Sequence, residues 1–528
     1  MKKFIKIQIA FLIALNFTIA LSSQNLQNNF ENKDIFIIES VCNHDLNPQT
    51  TSFSSDSQIL TGLYEGLFSY NPITLEPQYA ICKNYKISRD KKRMTFELRQ
   101  DAYFSNGEKI TANSVRDSWL HLLSTPDAPY SSLLDIICGA QDFRLGKGTE
   151  NNVEIFVLDD YTLSVYLNTP ANYLPKILCH SAFSVIHRIP TVYSGAFYLD
   201  NCEDKTLILK KNPYYWDYKN VPTEKITFYQ SNDADENAFY FNTGLADWII
   251  ADVNTEKILD KNSFQISAEF ATSFYFFKLS SKKINKTEEF NPWDFSEFRN
   301  AILEAVPWDI LRKGALVPAP TLVYPLKDYP QIDGFSYTDK IEAQKLMKNA
   351  RKKYGISEDE ILTLRFDISE YSLNDEKKQA LKEAFKPLGV ELVFTIFPSS
   401  EYFSNVKTSQ SDLFCYTWIG DFADPLAFLS LFQSDSTLNE SGFNNLEFDN
   451  LIKNAAKSDN SLRPSLLAQA ETILLDSGII IPVFHPISFN VIDTTEIGGW
   501  AANEFDLHPL KYLYKKEKKL NIQNLVKK

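Results

Sequence analysis

Six histidines, His44, His121, His180, His187, His485 and His508, are the whole supply of neutral-pH general bases in this 528-residue sequence. A serine or cysteine nucleophile needs such a base beside it. No Gly-x-Ser-x-Gly elbow presents a serine to one of them, and Ser/His coincidences abound in any chain this long. No His-Glu-x-x-His helix, calcium loop or clustered Cys/His set supplies metal ligands. No Gly-x-Gly-x-x-Gly or phosphate loop is present, so nucleotide binding is without support. The 67 acidic residues make chance carboxylate pairs plentiful, and none stands out as the acid and base of a glycosidase. Residue types that carry catalysis are present without the spacing that organises them. The sequence therefore predicts no enzyme, no cofactor and no bound metal.

Positioning any site in such a chain takes more than one core, since a single core stops growing beyond roughly 250–300 residues. Two large lobes are expected, the first open to subdivision. Short strand signals recur at Asp34–Ile38, Met94–Leu98, Thr162–Leu167, Thr206–Lys210, Lys225–Tyr229, Ser273–Leu279, Leu362–Ile368, Glu391–Ile396 and Ile479–Phe484. Helical patterns lie between them. Ala112–Ser124 puts Val115, Trp119, Leu122 and Leu123 on one face behind a Thr111 cap, and Asp294 with Glu297 reads as a capping box opening another helix. Asn374–Phe385 and Ser461–Leu475 carry apolar stripes of the same kind. Leu362–Ile368, helix, Glu391–Ile396 reads as a βαβ unit, so the class is α/β.

The first 24 residues carry Lys2, Lys3 and Lys6, then an apolar run from Ile7 to Leu21, then small residues at Ala20 and Ser22. That order predicts a secretory signal cleaved after Ser22; the run is short of the roughly 20 residues that a membrane span needs. The first cysteine is Cys42, so no lipoprotein cysteine stands at the new terminus. Losing three lysines deepens a formal charge already at −13, and an acidic envelope repels nucleic acid and anionic headgroups. The protein is expected to work in the periplasm or another extracytoplasmic space. Cys42, Cys82, Cys138, Cys179, Cys202 and Cys415 show no Cys-x-x-Cys spacing; one or two disulfides and free buried thiols both remain open.

Several blocks follow in order: Leu63-Tyr64-Glu65-Gly66-Leu67-Phe68; Thr95-Phe96-Glu97-Leu98-Arg99 through Phe104-Ser105-Asn106-Gly107-Glu108 to Ile110-Thr111-Ala112; Ser194-Gly195-Ala196-Phe197-Tyr198-Leu199; and Lys211-Asn212-Pro213-Tyr214-Tyr215-Trp216. Gly244-x-x-Asp247 comes next, and the second half adds Trp418-Ile419-Gly420-Asp421-Phe422-Ala423-Asp424-Pro425, Gly442-Phe443-Asn444-Asn445, Ile481-Pro482-Val483-Phe484 and Gly498-Gly499-Trp500. Together they resemble the peptide-binding branch of the family 5 solute-binding proteins of ABC transporters, over nearly the whole mature chain. Most of these motifs are expected to hold the fold rather than touch a ligand.

The resemblance implies a two-lobed periplasmic-binding-protein-like fold, type II, with an extra subdomain inserted in the first lobe. Residues 23–69, 190–270 and 500–528 would form lobe I, 70–189 the insertion and 271–499 lobe II. It implies short peptides as ligands, held by the strand edge Thr417, Trp418, Ile419 and Gly420, with Asp421 taking the α-amino group. A buried acid is costly without a partner, and a peptide ammonium supplies one. Ser52, Phe53, Ser54 and Ser55 would meet the other face of the ligand. The competing reading of Asp421 is a turn cap, with Asp424-Pro425 opening the next helix. The partner would be a membrane permease and the receptor a monomer. Where relatives carry a dibasic or Asp-Arg helix, this sequence has Ala305-Val306-Pro307-Trp308-Asp309, which leaves Lys407 as the candidate for a peptide carboxylate. Other ligands of the fold, namely metal chelates, haem, sugars and glutathione, and a peptide-sensing surface role, stay open at this point.

Overall fold

The computed structural model describes residues 33–516, apart from Cys42, Asn172, 284–289, 327–328, Asp421, Ala423 and 459–460. The expected signal segment 1–22 and the expected ligand acid Asp421 lie outside the described residues.

Two mixed sheets form the centres of two lobes. In the seven-stranded sheet Asp34–Glu39 is central and runs parallel to Lys225–Gln230 and to Trp248–Ile249. Outside these lie Thr206–Lys211 and Phe197–Glu203 on one side, and Ile487–Ile492 and Phe264–Ala268 on the other. The central strand is buried almost throughout, as expected of a strand covered on both faces. Helix Ser54–Leu63 packs Ile59, Leu60 and Leu63 into this core.

The six-stranded sheet runs in the order Val317–Pro318, Ile480–His485, Ala271–Phe277, Leu413–Ile419, Leu362–Ser369, Val390–Phe397. Its last two strands are parallel, joined through helix Asp375–Phe385, which is the βαβ unit read from the sequence. A four-stranded antiparallel sheet of Cys82–Ile87, Arg93–Leu98, Thr162–Tyr166 and Ile155–Asp159 builds a third unit. Helix Ala112–Ser124 covers it with Trp119 fully buried, capped by Thr111 and Ser114 in reciprocal bonds. No helix among the described residues is long and apolar enough to cross a membrane.

Two sequence expectations need correction. Lobe II was expected to run to residue 499, yet Ile487–Ile492 pairs with Trp248–Ile249 and Phe264–Ala268 in the other sheet. The switch falls at Pro486, between Ile480–His485 and Ile487–Ile492; proline has no N–H to continue the first ladder. The capping box at Asp294 is also absent. Helix Ser296–Ala305 opens without a side-chain cap, because Asp294 accepts instead from the Ser280 N–H at 2.8 Å and Glu297 pairs with Lys353.

The chain crosses between the sheets at Glu269-Phe270 and again at Pro486, and the two crossings are tied where Glu269 N–H donates to Pro486 O at 3.0 Å. Cys82, Cys138, Cys179, Cys202 and Cys415 are free thiols.

The motif blocks converge on one buried carboxylate. Glu65 accepts from the Tyr215 hydroxyl, the Trp216 indole N–H and the Lys511 ammonium, each at 2.6 Å. The Arg99 guanidinium lies 3.6 Å from the Trp216 ring centre, and Ser194 Oγ accepts from Glu65 N–H at 3.0 Å. A Cβ on Gly195 would stand 2.3 Å from Gly62 O, so only glycine fits there. Glu65 and Lys511 also line a large cavity. Removing one partner of a buried ion pair strands the other charge, so Lys511→Met is expected to destabilise the protein by about 3 kcal/mol, read as a lower urea midpoint.

Candidate functional site

Strand Leu413–Ile419 has a full partner on one side only. Its antiparallel register with Ala271–Phe277 runs the whole length, from Ala271 opposite Ile419 to Phe277 opposite Leu413. On the other side Leu362–Ser369 meets it only at Phe366 opposite Leu413 and Asp367 opposite Phe414. Lys278 N–H donates to Asp412 O and Gly420 N–H to Phe270 O, and an antiparallel ladder alternates the direction of its polar groups residue by residue. Phe414, Tyr416 and Trp418 therefore face the ladder, whereas Cys415, Thr417 and Ile419 turn their N–H and C=O outward.

Tyr402 meets the first of these. Its buried phenol oxygen accepts from Cys415 N–H at 2.7 Å and lies 3.0 Å from Cys415 O and 3.1 Å from Asp367 O, to which its proton can be donated. The phenol thus stands where the next rung between the two parallel strands would form. Beyond it, the outward groups of Thr417 and Ile419 have no partner among the described residues and face a cavity of about 410 Å³.

The residues singled out in the sequence line this cavity: Thr417, Trp418, Ile419 and Gly420 on one wall, Ser52, Phe53, Ser54 and Ser55 on another, with Lys407. Thr417 is exposed and its hydroxyl pairs with Ser273. Trp418 is mostly buried, held by an indole N–H bond to Ala427 O at 2.8 Å, and its ring lies 6.3 Å from that of Tyr130. A Cβ on Gly420 would come within 2.3 Å of the Phe270 ring, so the strand can bend there only with glycine. Asp424 is bound bidentately by Arg463 at 2.7 and 2.8 Å and accepts from Leu426 N–H at 3.0 Å, just ahead of helix Leu426–Leu429.

The serine wall is the start of helix Ser54–Leu63, which has no side-chain cap bond. A buried triad anchors it. His44 lies 2.9 Å from Asp56 and 3.0 Å from Glu39, and Thr51 donates to Asp56 at 2.5 Å. Burial works against a charged His44, but the bonds to Asp56 and Glu39 and their charges raise its pKa to about 9. The ring is therefore an imidazolium at neutral pH, neutralising part of the acid at the helix start.

Acidic side chains gather at the Ile419 end of the edge, whereas near Tyr416 the cavity is lined by both Lys407 and Glu440. At the Ile419 end a smaller cavity of about 140 Å³ shares Ser54, Ser55, Ile419, Phe505 and Asp506 with the large one and adds Glu39 and Glu269. Burial first, and the charge of Asp506 second, push the Glu269 carboxyl up to about 7. Burial also raises Glu39, against the hydrogen bond and charge of His44. At the Cys415 end stands helix Ser399–Thr408, with Phe403 against Tyr416 at 5.7 Å and exposed Lys407 one turn further on.

Sequence reasoning missed Tyr402, Phe403, Tyr130, Glu269 and Asp506. They come from four distant stretches, and no local pattern marks them. His180 also lines the cavity, and burial drives its pKa down to about 4, so it is a weak base. Among the described residues no group of three or more His, Cys, Asp and Glu could hold a metal ion.

The profile of the bacterial extracellular solute-binding proteins, family 5 Middle, matches residues 76–440. The chain belongs to that family. Its members are substrate-binding components of transporters, found in the periplasm or outside the cell. Among family 5 relatives, the dipeptide-binding protein DppE of Bacillus subtilis is 26% identical over 462 residues, covering 81% of this chain and 82% of its own. The murein tripeptide binding protein MppA of Escherichia coli superposes with a TM-score of 0.80 at 20% identity, covering 92% of this chain and 99% of its own. OppA of Haemophilus influenzae, in complex with RPPGFSPFR, gives 0.79 at 21% identity, covering 92% and 100%. The two-lobed fold of family 5 is thus the fold of this chain.

Tyr402→Phe keeps the ring and removes the hydroxyl, leaving a buried Cys415 N–H without an acceptor. A loss of about 1–3 kcal/mol is expected, with faster hydrogen exchange at the Cys415 amide as the specific readout.

Proposed function

We propose that the mature protein captures short peptides outside the cytoplasm, adds them as an extra strand on the Thr417–Ile419 edge, and presents them to the membrane permease of an ABC transporter. One observation carries the reading: outward N–H and C=O groups of Thr417 and Ile419 inside a cavity. Thr417 is exposed and Ile419 half-buried, so these groups are open to a ligand, and an extended peptide supplies the missing rungs without regard to its side chains. The names of the relatives support the ligand class, since DppE is a dipeptide-binding protein and the OppA structure holds a peptide.

The cluster of acids at the Ile419 end supports an orientation. A zwitterionic peptide would set its ammonium at the acidic Ile419 end and its carboxylate toward Lys407, running antiparallel to Leu413–Ile419. Asp421, next to Gly420, is the proposed partner of the α-amino group on the strength of the family resemblance. Trp418 with Tyr130 would flank a side chain. In this reading residues 1–22 are a cleaved signal, 70–189 are the insertion in lobe I, lobe II ends at Pro486, the receptor is monomeric, and no covalent step occurs.

Native mass spectrometry of the purified mature protein should reveal a ladder of added masses that resolve into mixed short peptides on denaturation. A single non-peptide mass would sink the proposal. Thr417→Pro removes the outward N–H together with the hydroxyl that pairs with Ser273, so it should lower peptide affinity at least about tenfold, while Thr417→Val, which loses the hydroxyl but keeps the N–H, should bind close to wild type. A carboxyl raised to about 7 is protonated below that pH and must ionise to meet an ammonium. Affinity should therefore fall as pH drops from 7 to 5, by up to about tenfold per unit, and Glu269→Gln should flatten the profile in calorimetric titrations.

A further inference from the structure

We infer that Phe53 and Phe403, meeting edge to face across the cavity, set the upper length of the peptide this receptor accepts; the inference rests on the strand-addition reading above. Phe53 precedes helix Ser54–Leu63, which belongs to the core of the seven-stranded sheet. Phe403 lies in helix Ser399–Thr408, whose Tyr402 and Val406 are buried with the six-stranded sheet. Their ring centres are 5.3 Å apart at 71°, so each lobe supplies half of one contact. That contact stands at the Cys415 end of the edge, because Phe403 also touches Tyr416 and Tyr402, the latter bound to Cys415.

A ligand strand advances about 3.3 Å per residue, in step with the strand it pairs with. Starting at the acidic end beside Gly420, it passes Ile419, Trp418, Thr417 and Tyr416 before reaching Cys415, whose groups already belong to Tyr402. The edge therefore serves about three to five ligand residues. A longer peptide has no rungs left and must thread between the Phe53 and Phe403 rings, which holds the lobes apart. A peptide that stops short lets the rings meet and brings its carboxylate to the part of the cavity lined by Lys407. The limit is a property of these side chains rather than of the fold, since the Haemophilus influenzae relative was solved with RPPGFSPFR. Both rings are exposed, Phe53 by 44% and Phe403 by 39%, so truncating them leaves the cores intact.

The test is calorimetric titration of the full mature protein with peptides of increasing length that share their first three residues. Affinity should drop at least about tenfold between tetrapeptide and octapeptide. In the Phe53→Ala/Phe403→Ala double variant the octapeptide-to-tripeptide affinity ratio should rise by a similar factor, while Phe403→Tyr, which keeps the ring, should keep the wild-type ratio. Equal binding of all lengths by the wild type would overturn the inference and leave strand addition standing. So would a length drop that the double variant does not relieve. Failure of every peptide to bind would overturn strand addition, and the length limit with it.

Discussion

The Tyr402 phenol governs how far the parallel ladder between Leu362–Ser369 and Leu413–Ile419 can run. It occupies the Cys415 groups that a further residue of the neighbouring strand would have met, and from there the two strands separate. An unpaired edge is normally an aggregation hazard that proteins cover or blunt. Here the edge lines a cavity to which both lobes contribute. Cavity, acidic cluster and lobe-to-lobe contact all take their meaning from that interruption of the sheet.

A second constraint keeps the first in place. Glu65 gathers Tyr215, Trp216 and Lys511 around itself, tying together segments up to 446 positions apart in sequence. Through the helix that ends at Leu63, the same region fixes the serine wall, while the His44 triad holds the start of that helix. Most of the residues recognisable as motifs are thus scaffolding around the site, although Tyr64, Glu65, Gly66 and Phe68 of the first block, with Lys511, also line the cavity.

That division explains what could be read in the sequence. Strand and helix positions were legible because apolar period and caps are local: Thr111 caps its helix and the βαβ unit at Leu362–Phe397 forms as read. The Thr417–Gly420 edge and the Ser52–Ser55 wall came from resemblance, and both line the cavity. Asp294 failed as a cap because a distant backbone N–H, that of Ser280, competed for it. Tyr402, Phe403, Glu269 and Asp506 were illegible for a similar reason: each acquires its role from a neighbour remote in sequence. Pro486 was a visible signal that went unused, since a proline between two strand-like runs marks where one ladder must end.

The position of Glu269 has a consequence for the traffic of the receptor. This carboxyl sits on the crossing tied to Pro486, where any rotation of one lobe against the other is absorbed, and it shares the acidic end of the cavity with Glu39 and Asp506. Under the proposed reading, closing the lobes without a peptide would bring Glu39, Glu269 and Asp506 together at the pivot against their mutual repulsion, although His44 sits beside Glu39 and His508 beside Asp506. On that proposal a cationic peptide terminus would remove the repulsion as it arrived. The closed outline would then act as a credential: a permease engaging only this shape would be handed few vacant carriers, the discrimination having been made at the pivot before the two proteins met.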